Sequence, residues 1–127
     1  MFFPSGTDMP RIIRIADVPA VEPSGGSGSK RVVIGKDTGA TKLQIQFLEL
    51  SPGRAGTYHF HPDAEQITVI LEGSGDFLVE GKRYHVERDS VLFFGVGEKH
   101  SITPGEKGVK IIEVYSPPDP QFIKADE

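Results

Sequence analysis

Apolar residues in this chain come in short alternating runs, and glycine, proline or charged turns interrupt each run before a helix could form. Residues 42–50 are the clearest case: Leu43, Ile45 and Phe47 fall on one face, Gln44 and Gln46 on the other. A period of two predicts a strand. Comparable extended runs cover residues 11–15, 31–34, 57–61, 66–71, 76–79, 83–86, 91–94, 99–103 and 109–115, with turns expected at 51–53 and 72–75. Roughly nine or ten strands at this spacing predict an all-β sandwich or barrel.

The 127 residues suffice for one domain, 1–127, with one real core. Fifteen glycines and ten prolines against 37% hydrophobic residues suit a fold rich in tight turns. Residues 1–41 form an N-terminal arm with a flexible Gly/Ser loop at 24–29. The tail, 116–127, opens with Ser116-Pro117-Pro118-Asp119-Pro120, which cannot pair as a central strand.

Several functions are disfavoured. There is no cysteine, so disulfides and thiolate sites are excluded. A net charge of −4 with scattered basic residues argues against nucleic acid. No apolar run approaches the ~20 residues of a membrane helix. Met1-Phe2-Phe3-Pro4 lacks the charged and apolar regions of a secretory leader, which leaves a cytoplasmic protein as the default.

The chemistry lies in the histidines. His59 and His61 flank Phe60, and residues i and i+2 of a strand share a face, roughly 6.5–7 Å apart at Cα. Two imidazoles at that spacing can converge on one ion, while Phe60 and Tyr58 turn to the opposite face. His85, between charged neighbours, reads as a surface residue.

Gly53, five residues, His59-Phe60-His61, then Glu65 or Gln66 and Gly73 resembles the first cupin motif, G-x5-H-x-H-x3-or-4-E-x6-G. Gly95-Val96-Gly97-Glu98-Lys99-His100 is similar to the second motif's P-x-G-x-x-H core, with Gly95 for Pro and Pro104 at the family's Asn position. The resemblance spans about residues 43–115. It implies a cupin-type jelly-roll β-barrel (a double-stranded β-helix) in which His59, His61 and His100 hold one divalent transition metal ion: Fe, Mn, Ni, Co or Zn. Either Glu65 or Gln66 would be the fourth ligand. Six residues lie between Gln66 and Gly73, which favours Gln66. Glu65 then falls on the opposite strand face, where it is expected as a carboxylate orienting an imidazole or as a solvated charge.

Three neutral imidazoles and a neutral amide would leave the ion's +2 charge uncompensated, so an anionic or enolisable small molecule is the expected substrate. Gln44, Gln46, Arg54 and Thr68 are the candidate substrate contacts; Ile70, Leu92 and Ile102 are pocket-wall candidates on parity, and Phe93 and Phe94 core candidates. Gln44 and Gln46 are equally consistent with solvent or a partner subunit. No independent general base is visible near either motif. That favours metal-led chemistry, an oxygenase, over proton shuttling. The alternatives are a non-catalytic ligand-binding or sensing module, or a metal-dependent isomerase or epimerase. The edge segments 11–15 and 31–34 lead to an expected homodimer.

Overall fold

The computed structural model describes residues 10–126. The Met1–Pro4 start, read above for a leader, lies outside them. Eight strands form one sheet that curls on itself into a jelly-roll barrel: β1 (Gly28–Ile34), β2 (Gln44–Leu50), β3 (His59–Phe60), β4 (Glu65–Val79), β5 (Lys82–Glu87), β6 (Val91–Phe94), β7 (His100–Ser116) and β8 (Ile123–Lys124). All the pairings are antiparallel. The described helical structure is two single 3-10 turns, Ile15–Asp17 and Lys36–Thr38, and no helix is long and apolar enough to cross a membrane.

One expected turn is strand, and two expected strands are one. β4 continues through residues 72–75, and β7 joins the runs expected separately at 99–103 and 109–115. The glycines bend these strands without ending them. Register shifts on β4 between Ile70 and Glu72 and between Gly73 and Gly75 act as bulges, and Gly73 has φ +80°. Bent this way, each long strand serves both halves of the barrel. The first half of β4 pairs with β6 and the end of β7, and its second half pairs with β5 and the start of β7.

Residues 11–15, expected as a strand, are not one. They have no strand partner among the described residues, and the segment ends in the 3-10 turn, where Val18 N–H donates to Ile15 O. Arg31 ties this arm down by donating to the Val18 carbonyl.

Strand parity places the glutamines inside. Gln44, Gln46 and Leu48 of β2 are buried, whereas Leu43 is 56% exposed and Ile45 and Phe47 lie half-buried on the outer face. Leu48, Ile70, Phe77, Val86, Phe94, Val109 and Ile111 form the core. Phe93, expected there with Phe94, is 60% exposed because it alternates outward on β6. The apolar core thus fills one end of the barrel, and the other end is lined by polar side chains.

At Gly73 a Cβ would meet Gly108 O at 2.2 Å, whereas at Gly81, with nearly the same φ, it would meet nothing within 4 Å. Gly81→Ala should therefore cost only backbone strain, about 1 kcal/mol. Gly73→Ala adds overlap to strain and should cost about 3 kcal/mol or more. Urea unfolding of both variants measures this, and equal costs would contradict the crossover geometry.

Candidate metal centre

His59 lies on β3, opposite His100 of β7 in the ladder, and His61 follows two residues later. Their ligating nitrogens all lie within 4.8 Å of one another. Ring centroids are 4.9 Å apart for His59–His61, 4.4 Å for His59–His100 and 5.6 Å for His61–His100.

Each ring is fixed from behind by a backbone carbonyl. His59 Nδ1 donates to Thr57 O at 2.7 Å, His61 Nδ1 to Gln121 O at 2.7 Å and His100 Nδ1 to Glu98 O at 2.9 Å. A carbonyl only accepts, so each Nδ1 carries the proton and each Nε2 keeps its lone pair. Burial, reinforced by the neighbouring imidazoles, lowers the pKa of His59 to about 4 and that of His100 to about 3. Both are neutral at pH 7, the form that ligates.

Gln66 sits on β4 between Phe94 and Tyr115. Those two neighbours touch the cluster: Phe94 stacks on His100 at 4.2 Å and Tyr115 packs edge-on to His61 at 5.1 Å. The Gln66 amide nitrogen donates to Thr68 Oγ1 at 2.9 Å and Glu113 Oε2 at 3.1 Å. Its Oε1 is buried without a hydrogen-bond partner, as are Nε2 of His61 and His100. Buried orphan acceptors are costly. The clustered imidazole nitrogens fit a cation, and a donor set of imidazole nitrogens suits a divalent transition metal; Gln66, whose strand neighbours touch the rings, is the candidate for a further oxygen ligand.

Beside the cluster opens a cavity of about 270 Å³. Gln44 and Gln46 line it, in a polar chain. Asp119 N–H donates to Gln44 Oε1 at 2.8 Å, Gln44 Nε2 to Gln46 Oε1 at 3.0 Å, and Gln46 Nε2 to Glu113 Oε1 at 2.8 Å. Tyr115 OH also donates to Glu113 Oε1, at 3.0 Å. Burial pushes the Glu113 carboxyl up, against the opposing pull of the Gln46 and Tyr115 hydrogen bonds.

Other expected positions differ. Arg54 is exposed in its turn and outside the cavity wall, because the turn projects into solvent. Thr68 is fully buried and holds Gln66 rather than lining the cavity. Glu65 is exposed, and backbone carbonyls take the imidazole-orienting role considered for it. Ile70 and Leu92 belong to the core and its border, whereas Ile102 does line the cavity. His85 is exposed, 2.8 Å from Asp76 Oδ1 and 3.4 Å from Glu87 Oε1. Tyr58, on the face away from the rings, accepts from Gly81 N–H.

Reading the sequence missed Glu113, Tyr115, Lys30 and Phe122. Glu113 left a signal: it shares parity with Val109, Ile111 and Tyr115, so it is an acid on an inward-facing apolar stripe. Phe122, from the tail, stacks on His59 at 4.1 Å, while the neighbouring β8 pairs with β3.

A family model described as Cupin domain matches residues 46–115. The chain belongs to the cupin family. This cupin is 30% identical over 104 residues to the tetracenomycin polyketide synthase protein TcmJ of Streptomyces glaucescens, covering 80% of this chain and 70% of that protein. It is 26% identical over 98 residues to the pectin degradation protein KdgF of Dickeya dadantii, covering 77% and 86%. Among solved structures, the polyketide cyclase RemF of Streptomyces resistomycificus superposes with a TM-score of 0.79 at 24% identity, covering 94% of this cupin and 87% of that chain. At that identity the likeness shows the shared fold.

Substituting Gln66 and Glu65 separately tests the ligand set. Gln66→Ala should weaken Ni(II) binding by about tenfold or more, and Glu65→Ala should leave it unchanged, as read by competitive chelator titration. The reverse ranking would contradict it.

Proposed function

We propose that this cupin is a metal-dependent enzyme that moves protons on an enolisable, oxygen-rich ketone, the chemistry needed for cyclisation of a polyketide-like substrate. His59, His61, His100 and Gln66 would hold the ion. When bound there, a divalent ion supplies Lewis acidity to a substrate carbonyl oxygen.

The observation that carries the proposal is Glu113. The preference for an oxygenase rested on the lack of a general base, and Glu113 supplies a carboxylate on the cavity wall beside the ligand set. Its carboxyl is pushed up by burial, toward the working range of an acid–base group, and it is held in place by Gln46, Tyr115 and Gln66. In this role Glu113 takes a proton from the carbon next to one carbonyl; that carbon bonds to a second carbonyl carbon of the substrate, whose π pair moves to its oxygen, and Glu113 returns the proton to that oxygen. Gln44 and Gln46 orient substrate oxygens. Leu48, Phe77 and Ile102 give the apolar wall that excludes water. The likeness to TcmJ, a polyketide synthase protein, supports the substrate class.

Proton NMR of an aryl 1,3-diketo acid, incubated anaerobically with Zn(II)- or Ni(II)-loaded protein, tests this. Cyclisation should proceed without oxygen and fall by about a hundredfold or more in Glu113→Gln. Turnover that requires dioxygen would return the oxygenase to first place. Tight binding without turnover would support the binding module.

We also infer a homodimer, formed through a different surface from the edges first expected. On the outer face two cross-strand rows are apolar throughout: Ile45, Val114, Ile67, Phe93 and Phe47, Ile112, Val69, Val91. Ile67, Phe93 and Val91 are 41%, 60% and 66% exposed. An apolar sheet face this broad suits a second copy. Sedimentation should give a dimer at micromolar concentration and a monomer for Phe93→Glu; a wild-type monomer would contradict this.

A further inference from the structure

The cavity holds a cation that neither motif points to. Lys30 lies on β1 and lines the wall that also carries Gln46 and Glu113. Its backbone is paired on both sides: it stands opposite Leu48 of β2 and exchanges two hydrogen bonds with Val21, at 2.8 and 2.7 Å. The side chain thus projects from a fixed point, whereas Arg54 hangs on an exposed turn.

Lys30 is half-buried, and among the described residues its ammonium has no hydrogen bond and no ion pair within 4 Å. It acts on Glu113 through space, favouring the carboxylate form. Glu113 already accepts three hydrogen bonds, from Gln46, Tyr115 and Gln66. Lys30 therefore lines the cavity with its donors uncommitted. A half-buried, unpaired ammonium is stabilised by an anion. The amide nitrogens of Gln44 and Gln46 each donate once, which leaves each a second hydrogen on the same wall.

We propose that Lys30 is the subsite for an anionic oxygen of the substrate, with Gln46 as its neighbouring donor. Lys30 is the sole Lys or Arg of the described cavity wall. The substrate is then a planar or apolar-bodied acid: its reactive carbonyl lies at the histidines, its body against Leu48, Phe77 and Ile102, and its anionic oxygen at Lys30. A carboxylate and an ionised enol share this recognition chemistry. The inference deepens the proposed function by naming the substrate's charge and the residue that reads it.

Metal-free protein separates the two ideas, since no anion can then bind through an ion. Calorimetric titration with 2-naphthoate, its neutral amide and the enolate of 2-hydroxy-1,4-naphthoquinone provides the readout. Wild type should prefer an anion over the amide by about tenfold or more, as a charge-assisted contact predicts. Whichever anion shows the preference identifies the source, carboxylate or enolate. Lys30→Met should abolish the preference while leaving amide binding and the circular dichroism spectrum unchanged, and Lys30→Arg should restore most of it. Wild type without an anion preference, or a preference that survives Lys30→Met, would overturn the subsite. Either result leaves metal-dependent turnover standing, because these titrations contain no metal.

Discussion

Everything at the polar end of the barrel depends on three N–H···O=C bonds behind the imidazoles. The carbonyls of Thr57, Glu98 and Gln121 come from separate stretches of chain, and each holds one Nδ1 proton. With those protons fixed, the Nε2 atoms can only be acceptors, and they converge. The constraint reaches back into the fold. Gln121 is delivered by the tail, pinned where its N–H donates to Asp63 and where β8 pairs with β3. The last segment of the chain is thereby part of the site.

The same end of the barrel gives up apolar packing for a connected polar wall. Gln44, Gln46, Gln66, Thr68, Glu113 and Tyr115 point inward, and each finds partners within the group. Unpaired, such groups would cost about 1–3 kcal/mol apiece; satisfied, they hold one geometry. Within this wall the Gln66 Oε1 is left over, a buried acceptor without a partner, as are Nε2 of His61 and His100. Gln66 shows this best. Its amide nitrogen is committed to Thr68 and Glu113, and its buried oxygen is left without a partner.

Much of this was legible in the residues. Period-two alternation gave the strands, and the spacing around His59, His61 and His100 marked the cluster. Parity also separated Gln66 from Glu65 by burial. What was hidden had physical causes. Gly73 reads as a turn because local sequence cannot distinguish a chain reversal from a bulge inside a long strand. Residues 11–15 are rich in β-branched isoleucine like a strand, but composition supplies no partner. Arg54 looked suitable because it is near His59 in sequence, whereas Lys30 is near Glu113 only across the sheet. Glu113 lies outside both motifs, and only the inward parity of β7 marks it.

The central claim is that these three imidazoles and the Gln66 oxygen share one ion. X-ray absorption spectroscopy of the protein loaded with one equivalent of Zn(II) tests it most directly. The account predicts multiple-scattering features of three imidazoles, with the remaining near neighbours fitted as oxygen. A spectrum with one imidazole or none, or with a carboxylate-dominated shell, would contradict it.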